Sequence, residues 1–345
     1  MAAIETARVL ARRDDLDLVG VAARHGAPPA PEWTPPIPVR HLPLPRVAMY
    51  EAWHRVRRPR VERACGPVDV IHATTIAMPP RSRPLVLTIH DLAFLHYPAY
   101  FTRRGRSFFR RGLARALDDA DLILCSSRSV LEDCRAAGFE ERRLRHVPLG
   151  VDVRPATKDE VDRVRRRHRL DRPYVMWAGT VEPRKNLTGL LTAFRGLPRE
   201  VDLVLVGPKG WNEDLDRLVA PVRDRVKVLG FVEAAERDAL MAGARAFCFP
   251  SIMEGFGFPV LEAMGQGTPV VTSRGTSTEE VAGDAALLVD PREAGEIGDA
   301  LRRILDDEAL AAKLAETGRA RAAGYTWDRT AARVADCYRE LGGRS

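Results

Sequence analysis

Cysteine is scarce in this 345-residue chain, and long apolar runs are missing. Each shortage removes a class of protein. The five cysteines, Cys65, Cys125, Cys134, Cys248 and Cys337, are scattered, without a C-x-x-C pair. An odd, dispersed set excludes a disulfide framework or a zinc-ribbon spacing and reads as the reduced thiols of a cytoplasmic protein. No apolar run approaches the ~18 residues that a transmembrane helix needs. The opening MAAIETARVLARR is charged and amphipathic, unlike a signal peptide. No G-x-G-x-x-G follows a predicted strand, which argues against a dinucleotide oxidoreductase. No D-x-D stands in a cleft position, no internal repeat is visible, and no nucleic-acid module is recognisable. What is abundant is arginine, which carries most of the net charge of +7. That balance suits an anionic partner: a nucleotide, an anionic lipid or nucleic acid. The length suggests two domains, and 45% hydrophobic residues suffice for sizeable cores.

The most informative stretch is 247–272, FCFPSIMEGFGFPVLEAMGQGTPVVT. It predicts a strand, a loop bearing Gly255 and Gly257, a short helix with Pro259 in its first turn, a stop at Gly267 and Pro269, and another strand. The backbone N–H groups at such a helix start, aided by the helix dipole, favour an anion. The glycines let that anion approach the backbone closely. Two carboxylates bracket the loop, Glu254 before it and Glu262 in the helix. Carboxylates repel phosphate but accept hydrogen bonds from sugar hydroxyls, so the pattern suits a nucleotide sugar. The plainer alternative makes Glu262 a partner of the helix dipole and Glu254 a solvated loop residue.

A second cradle is predicted at 179–186. The strand Tyr174–Ala178 leads to a glycine, to Arg184 and Lys185, and to Asn186 as the N-cap of a helix running to Phe194. A basic pair there could neutralise a departing diphosphate, or it could be an exposed loop pair. In the first half, Leu85–Ile89 reads as a buried strand ending at His90 and Asp91. This is the edge at which open α/β sheets bind ligands. An imidazole there can donate to a sugar hydroxyl or simply bond backbone, and Asp91 can cap the next turn. Residues 101–117 carry six arginines and no acid, interleaved with Phe108, Phe109, Leu113 and Leu117. That is either a solvated basic face or a surface for anionic phospholipid or a polyprenyl-phosphate acceptor. The proline-rich 28–45 predicts an exposed extended connection.

The motifs EGFGFPVLEAM, with Glu254 and Glu262 as E-x7-E, TIHDLAFLHYP, VPLGVD, GTVEPRKNL, LVLVGPKGW and EVAGDAALLVDP occur in one order. Together they resemble the retaining glycosyltransferases of family 4 over nearly the whole chain. The resemblance implies an α/β fold with two Rossmann-like domains facing a central cleft (GT-B) and a C-terminal helix crossing back. It places the N-terminal, acceptor-side domain at 1–152, the nucleotide-sugar domain at 153–325 and the returning helix at 326–345. It assigns His90 and Glu254 to the donor sugar and Glu262 to ribose hydroxyls. Lys185 and the amides of Gly255, Phe256, Gly257 and Phe258 fall to the diphosphate, and backbone near Phe231 and Val232 to the base. Thr180 stands where the family more often has an arginine, so Arg184 is expected to take that role.

Residues 2–13 read as a helix and 16–22 as the strand after it, whereas such folds begin with a strand and a glycine-bearing turn. The expectation is therefore that the first ~20–30 residues of a complete enzyme, the span of a strand and turn, are absent, the alternative being a divergent member that closes its sheet differently. The implied activity is metal-independent transfer of a hexose to a glycan or lipid-linked acceptor, with no cofactor. The mannosyltransferase-like motifs favour GDP-mannose and leave UDP-sugars open. The expected location is cytoplasmic, with peripheral contact at the inner face of the membrane. Two other classes stand beside it. One is a nucleotide-sugar-binding protein without turnover. The other is a sugar-nucleotide epimerase of the same architecture, against which the complete E-x7-E loop argues.

Overall fold

The structure is a computed structural model describing residues 1–30, 33–210 and 213–342. The chain divides into two compact units, 1–150 with 326–345, and 151–325.

The first unit opens with the helix Ala2–Leu10 and a two-stranded parallel sheet, β1 (Gly20–Arg24) with β2 (Val39–Pro45). Four further strands, β3 (Ile71–Ala73), β4 (Leu85–Ile89), β5 (Leu122–Cys125) and β6 (Leu144–His146), form a parallel sheet in sequential order. Successive side chains of a strand point to opposite faces, and two cores result. Leu85, Leu87, Ile89, Ile123 and Cys125 join Met49, Trp53 and Leu113 on one face. Val86, Leu122 and Leu124 join Leu10, Val147, Ala331, Val334 and Leu341 on the other. The second core is completed by the last helix, Trp327–Gly342, where helical spacing puts Trp327, Ala331, Val334, Tyr338 and Leu341 on one face; all are buried except Tyr338, which is half-buried.

Residues 28–45 correct the sequence reading. Their second half is not a loop but strand β2, which carries Pro43 and Pro45. Proline lacks the N–H of an interior strand but is accepted at an edge. In this two-stranded sheet the register breaks between Ala23 and Arg24, beside Pro45. Pro31 and Glu32 lie outside the described residues. The strand expected at 16–22 begins later, at Gly20, and the first helix stops at Leu10 rather than 13.

The second unit is built on six parallel strands: β7 (Tyr174–Ala178), β8 (Asp202–Val206), β9 (Val226–Gly230), β10 (Ala246–Phe249), β11 (Val270–Ser273) and β12 (Leu287–Val289). Their order is β12-β11-β10-β7-β8-β9. From β7 the chain winds outward through β8 and β9, then returns to place β10 on the other side of β7 and winds outward again. The winding direction thus reverses between β7 and β10. In open α/β sheets the crevice at the carboxyl ends of two such strands is the ligand position. The interior of the sheet is mostly apolar, with Tyr174, Trp177, Phe247 and Phe249 among its largest buried side chains and Asp202, Thr272 and Ser273 as its buried polar ones. This follows from parallel strands covered on both faces.

Candidate active site

Two loops leave the sheet at the reversal. One follows β7 and ends in the short 3-10 turn Pro183–Lys185. The other follows β10 and ends at the helix Phe258–Gln266. Main chain ties them together, since Ile252 N donates to Arg184 O at 2.8 Å. Asn186 adds a second tie. It adopts a left-handed conformation (φ 53°) as N-cap of the helix Leu187–Phe194, with its Oδ1 accepting from Gly189 N. Its Nδ2 donates to Pro250 O at 3.1 Å and Pro291 O at 2.6 Å. One side chain thus caps a helix and anchors both neighbouring loops. Glycine is required where β7 and β8 end. Gly207 has φ +136°, and a Cβ there would lie 1.9 Å from Gly179 O.

The loops bring a compact ionic group together. Lys185 is buried, its ammonium bonded to Glu254 Oε1 and standing 4.9 Å from the centre of the Phe249 ring. Arg184 spans two carboxylates, Glu254 at 3.2 Å and Glu182 at 2.8 Å. Ser251 Oγ donates to Glu254 Oε1 at 2.8 Å, and Ser277 Oγ holds the Glu254 carbonyl at 2.7 Å. Burial alone would raise the Glu254 carboxyl, but Lys185 and Arg184 outweigh it and hold the group below the ordinary glutamate range. Glu182 is pushed the other way: burial dominates, and Arg184 and Lys185 only partly oppose it. Glu254 is therefore a buried counter-ion, not a solvated loop residue. Arg184 and Lys185 are not an exposed pair.

The helix Phe258–Gln266 starts at Gly257, whose φ of +118° makes the entry turn. Gly255 lies in the same loop. Phe256 packs inward against the rings of Phe258 and Tyr325. Glu262 lies beyond the first turn of this helix and belongs to a separate ion-pair group. Its Oε1 is 3.2 Å from Arg237 Nη1, and Arg237 also reaches Asp238 at 2.8 Å. Burial raises the Glu262 carboxyl, Arg237 pulls it down, and the net direction is up. Phe231 follows β9 and is 74% exposed, and Val232 is half-buried beside it.

His90 belongs to the first unit, at the C-terminal end of β4. Burial lowers its imidazole below the usual histidine value, against the opposing pull of Asp91 and a backbone bond at Thr74, so the ring is neutral at pH 7. Asp91 Oδ1 accepts from Ala93 N at 3.0 Å, the turn-capping bond its position suggests.

Sequence reading missed Glu182, Ser251, Phe249 and Arg237. Glu182 was open to inference, since it stands two residues before Arg184 in the same motif. Arg237 carried no signal, because only the fold brings its helix, Ala234–Ala242, beside Glu262. Among the described residues no group of three or more His, Cys, Asp or Glu side chains is placed to hold a metal ion. Nor is any helix among them long and apolar enough to cross a membrane.

Comparison with known proteins adds the following. A family model described as Glycosyl transferases group 1 matches residues 158–321, and one described as Glycosyltransferase Family 4 matches residues 2–154. The O-antigen chain mannosyltransferase B of Escherichia coli is 32% identical over 283 residues, covering 79% of this chain and 74% of the relative. Among solved structures, sucrose-phosphate synthase from Thermosynechococcus elongatus superposes with a TM-score of 0.79 at 22% identity, over 99% of this chain and 92% of that one. Anabaena Alr3699/HepE, solved in complex with UDP-glucose, gives a TM-score of 0.72 at 22% identity, over 88% and 86%.

Proposed function

This chain belongs to the group 1 glycosyltransferases of family 4, hexosyltransferases with two Rossmann-like domains, and on that premise we propose that it moves mannose, with retention and without a metal, from GDP-mannose to a glycan or lipid-linked acceptor. The observation that carries the proposal is the Arg184–Lys185–Glu254 group at the winding reversal of the second unit, beside the start of the helix Phe258–Gln266. The relative most informative about the sugar is the mannosyltransferase of Escherichia coli.

In this reading Lys185 and Arg184 take the diphosphate, together with the amides of the 255–258 loop. They neutralise the charge that grows as the bond between sugar C1 and the diphosphate oxygen breaks. Two cations in a buried setting perform the service that a divalent ion performs elsewhere. Glu262, oriented by Arg237, accepts from ribose hydroxyls. Glu254 and the neutral His90 orient the donor sugar. The base meets the 231–232 segment, with Phe231 offering an exposed ring. UDP-sugar is the second reading, favoured by the UDP-glucose bound to Alr3699/HepE.

A thermal-shift panel of GDP, UDP, ADP and their sugar conjugates tests both. A ligand at 100 times its Kd adds about 2.7 kcal/mol to the unit it binds. GDP-mannose is expected to stabilise most, and Lys185→Ala and Glu262→Ala are expected to abolish the shift. A larger shift with UDP-sugars reassigns the donor. No shift with any nucleotide, while the chain is folded, ends the donor-site reading. Transfer assayed with EDTA present, and the anomeric configuration of the product read by NMR, test metal independence and retention.

A further inference from the structure

A second charged feature lies in the first unit and takes no part in the site above. The helix Arg103–Asp119 carries Arg103, Arg104, Arg106, Arg110, Arg111 and Arg115, with no acid in its first turn. Three of these arginines stand in the first four positions, where the helix dipole disfavours cations. Arg106 with Arg110, and Arg111 with Arg115, add like-charge pairs four residues apart, which are also unfavourable. Stability does not account for this composition.

The opposite face of the helix holds it firmly. Gly112, Leu113 and Ala116 are buried, Phe94 and Phe109 stack at 5.3 Å, and Phe108 lies 4.5 Å from His54. The helix Arg46–Arg55 packs alongside and supplies Glu51. Both carboxylate oxygens of Glu51 lie 3.0 Å from Arg111 Nη2, and Arg111 Nη1 donates to Ser107 Oγ at 2.7 Å. Arg55 Nε reaches the same carboxylate at 2.8 Å. Arg111 is therefore fixed in place. Among the described residues Arg103, Arg106 and Arg110 have no carboxylate partner. Two adjoining depressions result, of about 430 and 490 Å³. The first is lined by Glu51, Arg55, Arg104, Ser107 and Arg111. The second is lined by Arg103, Arg106, Ser107, Arg110, Arg111 and Ala114. Six arginines and one carboxylate thus line two shallow, open depressions.

We propose that these depressions form a binding site for a phosphate- or diphosphate-bearing ligand, separate from the donor site. Guanidinium groups bind phosphate oxygens in pairs, and several converging on one depression select a multiply charged group over a single negative charge. An added phosphate also relieves the like-charge repulsion along the helix. The same chemistry belongs to a lipid headgroup or to a soluble phosphorylated compound. The site does not depend on the donor reading, because none of its arginines is among the residues assigned to the donor.

The test uses the full chain with Lys185→Ala, so that the donor site does not bind the probe. Inorganic pyrophosphate is titrated by calorimetry, with sulfate at matched ionic strength as control. Sedimentation with vesicles of phosphatidylglycerol and phosphatidylcholine, against phosphatidylcholine alone, forms the second arm. The expected result is pyrophosphate binding that R104Q/R110Q weakens at least tenfold, with R103Q/R106Q as a second, independently folding variant. Loss of vesicle binding in the same variants identifies the lipid headgroup as the source. Pyrophosphate binding without vesicle binding identifies a soluble phosphate. Pyrophosphate affinity unchanged in both double variants, no binding of either probe, or sulfate binding as well as pyrophosphate overturns the proposal.

Discussion

Replacing Glu254 by glutamine separates the stabilising role of the carboxylate from its role toward ligands. The change keeps the shape and the bond partner of Ser251, but leaves Lys185 charged, buried and without its counter-ion. At an effective dielectric near 20, unit charges 3.2 Å apart, the Arg184–Glu254 spacing, attract by about 5 kcal/mol. Desolvation of the pair cancels part of that, and removal of one member of a buried pair usually costs about 3–5 kcal/mol. Arg184 keeps Glu182, so about 3 kcal/mol is expected for Glu254→Gln. For a unit of this size that lowers Tm by roughly 6–12 °C. Lys185→Met leaves Glu254 with Arg184 and Ser251 and is expected to cost less, about 2 kcal/mol. The double variant removes both charges and should cost at least ~1.5 kcal/mol less than the sum of the two.

The ligand readout moves in the opposite direction. With its carboxylate competitor gone, Lys185 should bind free GDP several-fold more tightly in Glu254→Gln, while turnover falls. Calorimetric unfolding of the second unit and GDP titration of the four proteins supply the data. Additive stabilities within ~0.5 kcal/mol refute the pairing argument. Weaker GDP binding by Glu254→Gln refutes the competition.

Four further outcomes are expected. Gly207→Ala places a Cβ against Gly179 O at a positive φ and should destabilise the second unit by at least about 2 kcal/mol in urea unfolding. Asn186→Ala loses a cap and two loop anchors, about 2 kcal/mol, and Asn186→Gly should recover only the part due to the left-handed backbone. Phe231→Ala, at a residue 74% exposed, should leave Tm nearly unchanged while raising the KM for the nucleotide sugar. His72 gives a pH dependence. Burial pushes it down to about 4, and it is bonded to Tyr338 and Thr88. The unfolded chain, with histidine near its ordinary value of ~6.5, binds the proton more readily, so the first unit loses stability as pH falls from about 6.5 to about 4. Urea midpoints should show this slope in the wild type and a shallower one in His72→Asn.

Where apolar runs are bounded by strong punctuation, the sequence reading matched the fold residue for residue. Leu85–Ile89 is bracketed by Pro84 and His90, and Tyr174–Ala178 by Pro173 and Gly179. β2 escaped it because prolines were counted against a strand without weighing the tolerance of an edge. At the site, Lys185, Arg184 and Glu254 were visible as residue types in loops of the right kind. Their mutual pairing was not, because Lys185 and Glu254 are 69 positions apart and only the return of β10 to the side of β7 joins them. The burial of Glu254 was invisible for the same reason. A glutamate in a glycine-bearing loop looks solvated until the second loop closes over it.

The last helix has a consequence for the order in which the protein is made. The second unit is one continuous stretch, 151–325, whose ends meet where Val151 N donates to Tyr325 O at 3.0 Å. It contains all its own strands and is complete before the final segment has been synthesised. The first unit begins earlier yet finishes later. One face of its β4 and β5, packed in part by Leu10 and Val147, is not fully covered until Ala331, Val334 and Leu341 arrive. Domains usually mature from the N-terminus as translation proceeds, and here that order is inverted. A nascent chain that stalls before residue 327 therefore displays a finished second unit beside an unfinished first one, with Val86, Leu122 and Leu124 open to chaperones.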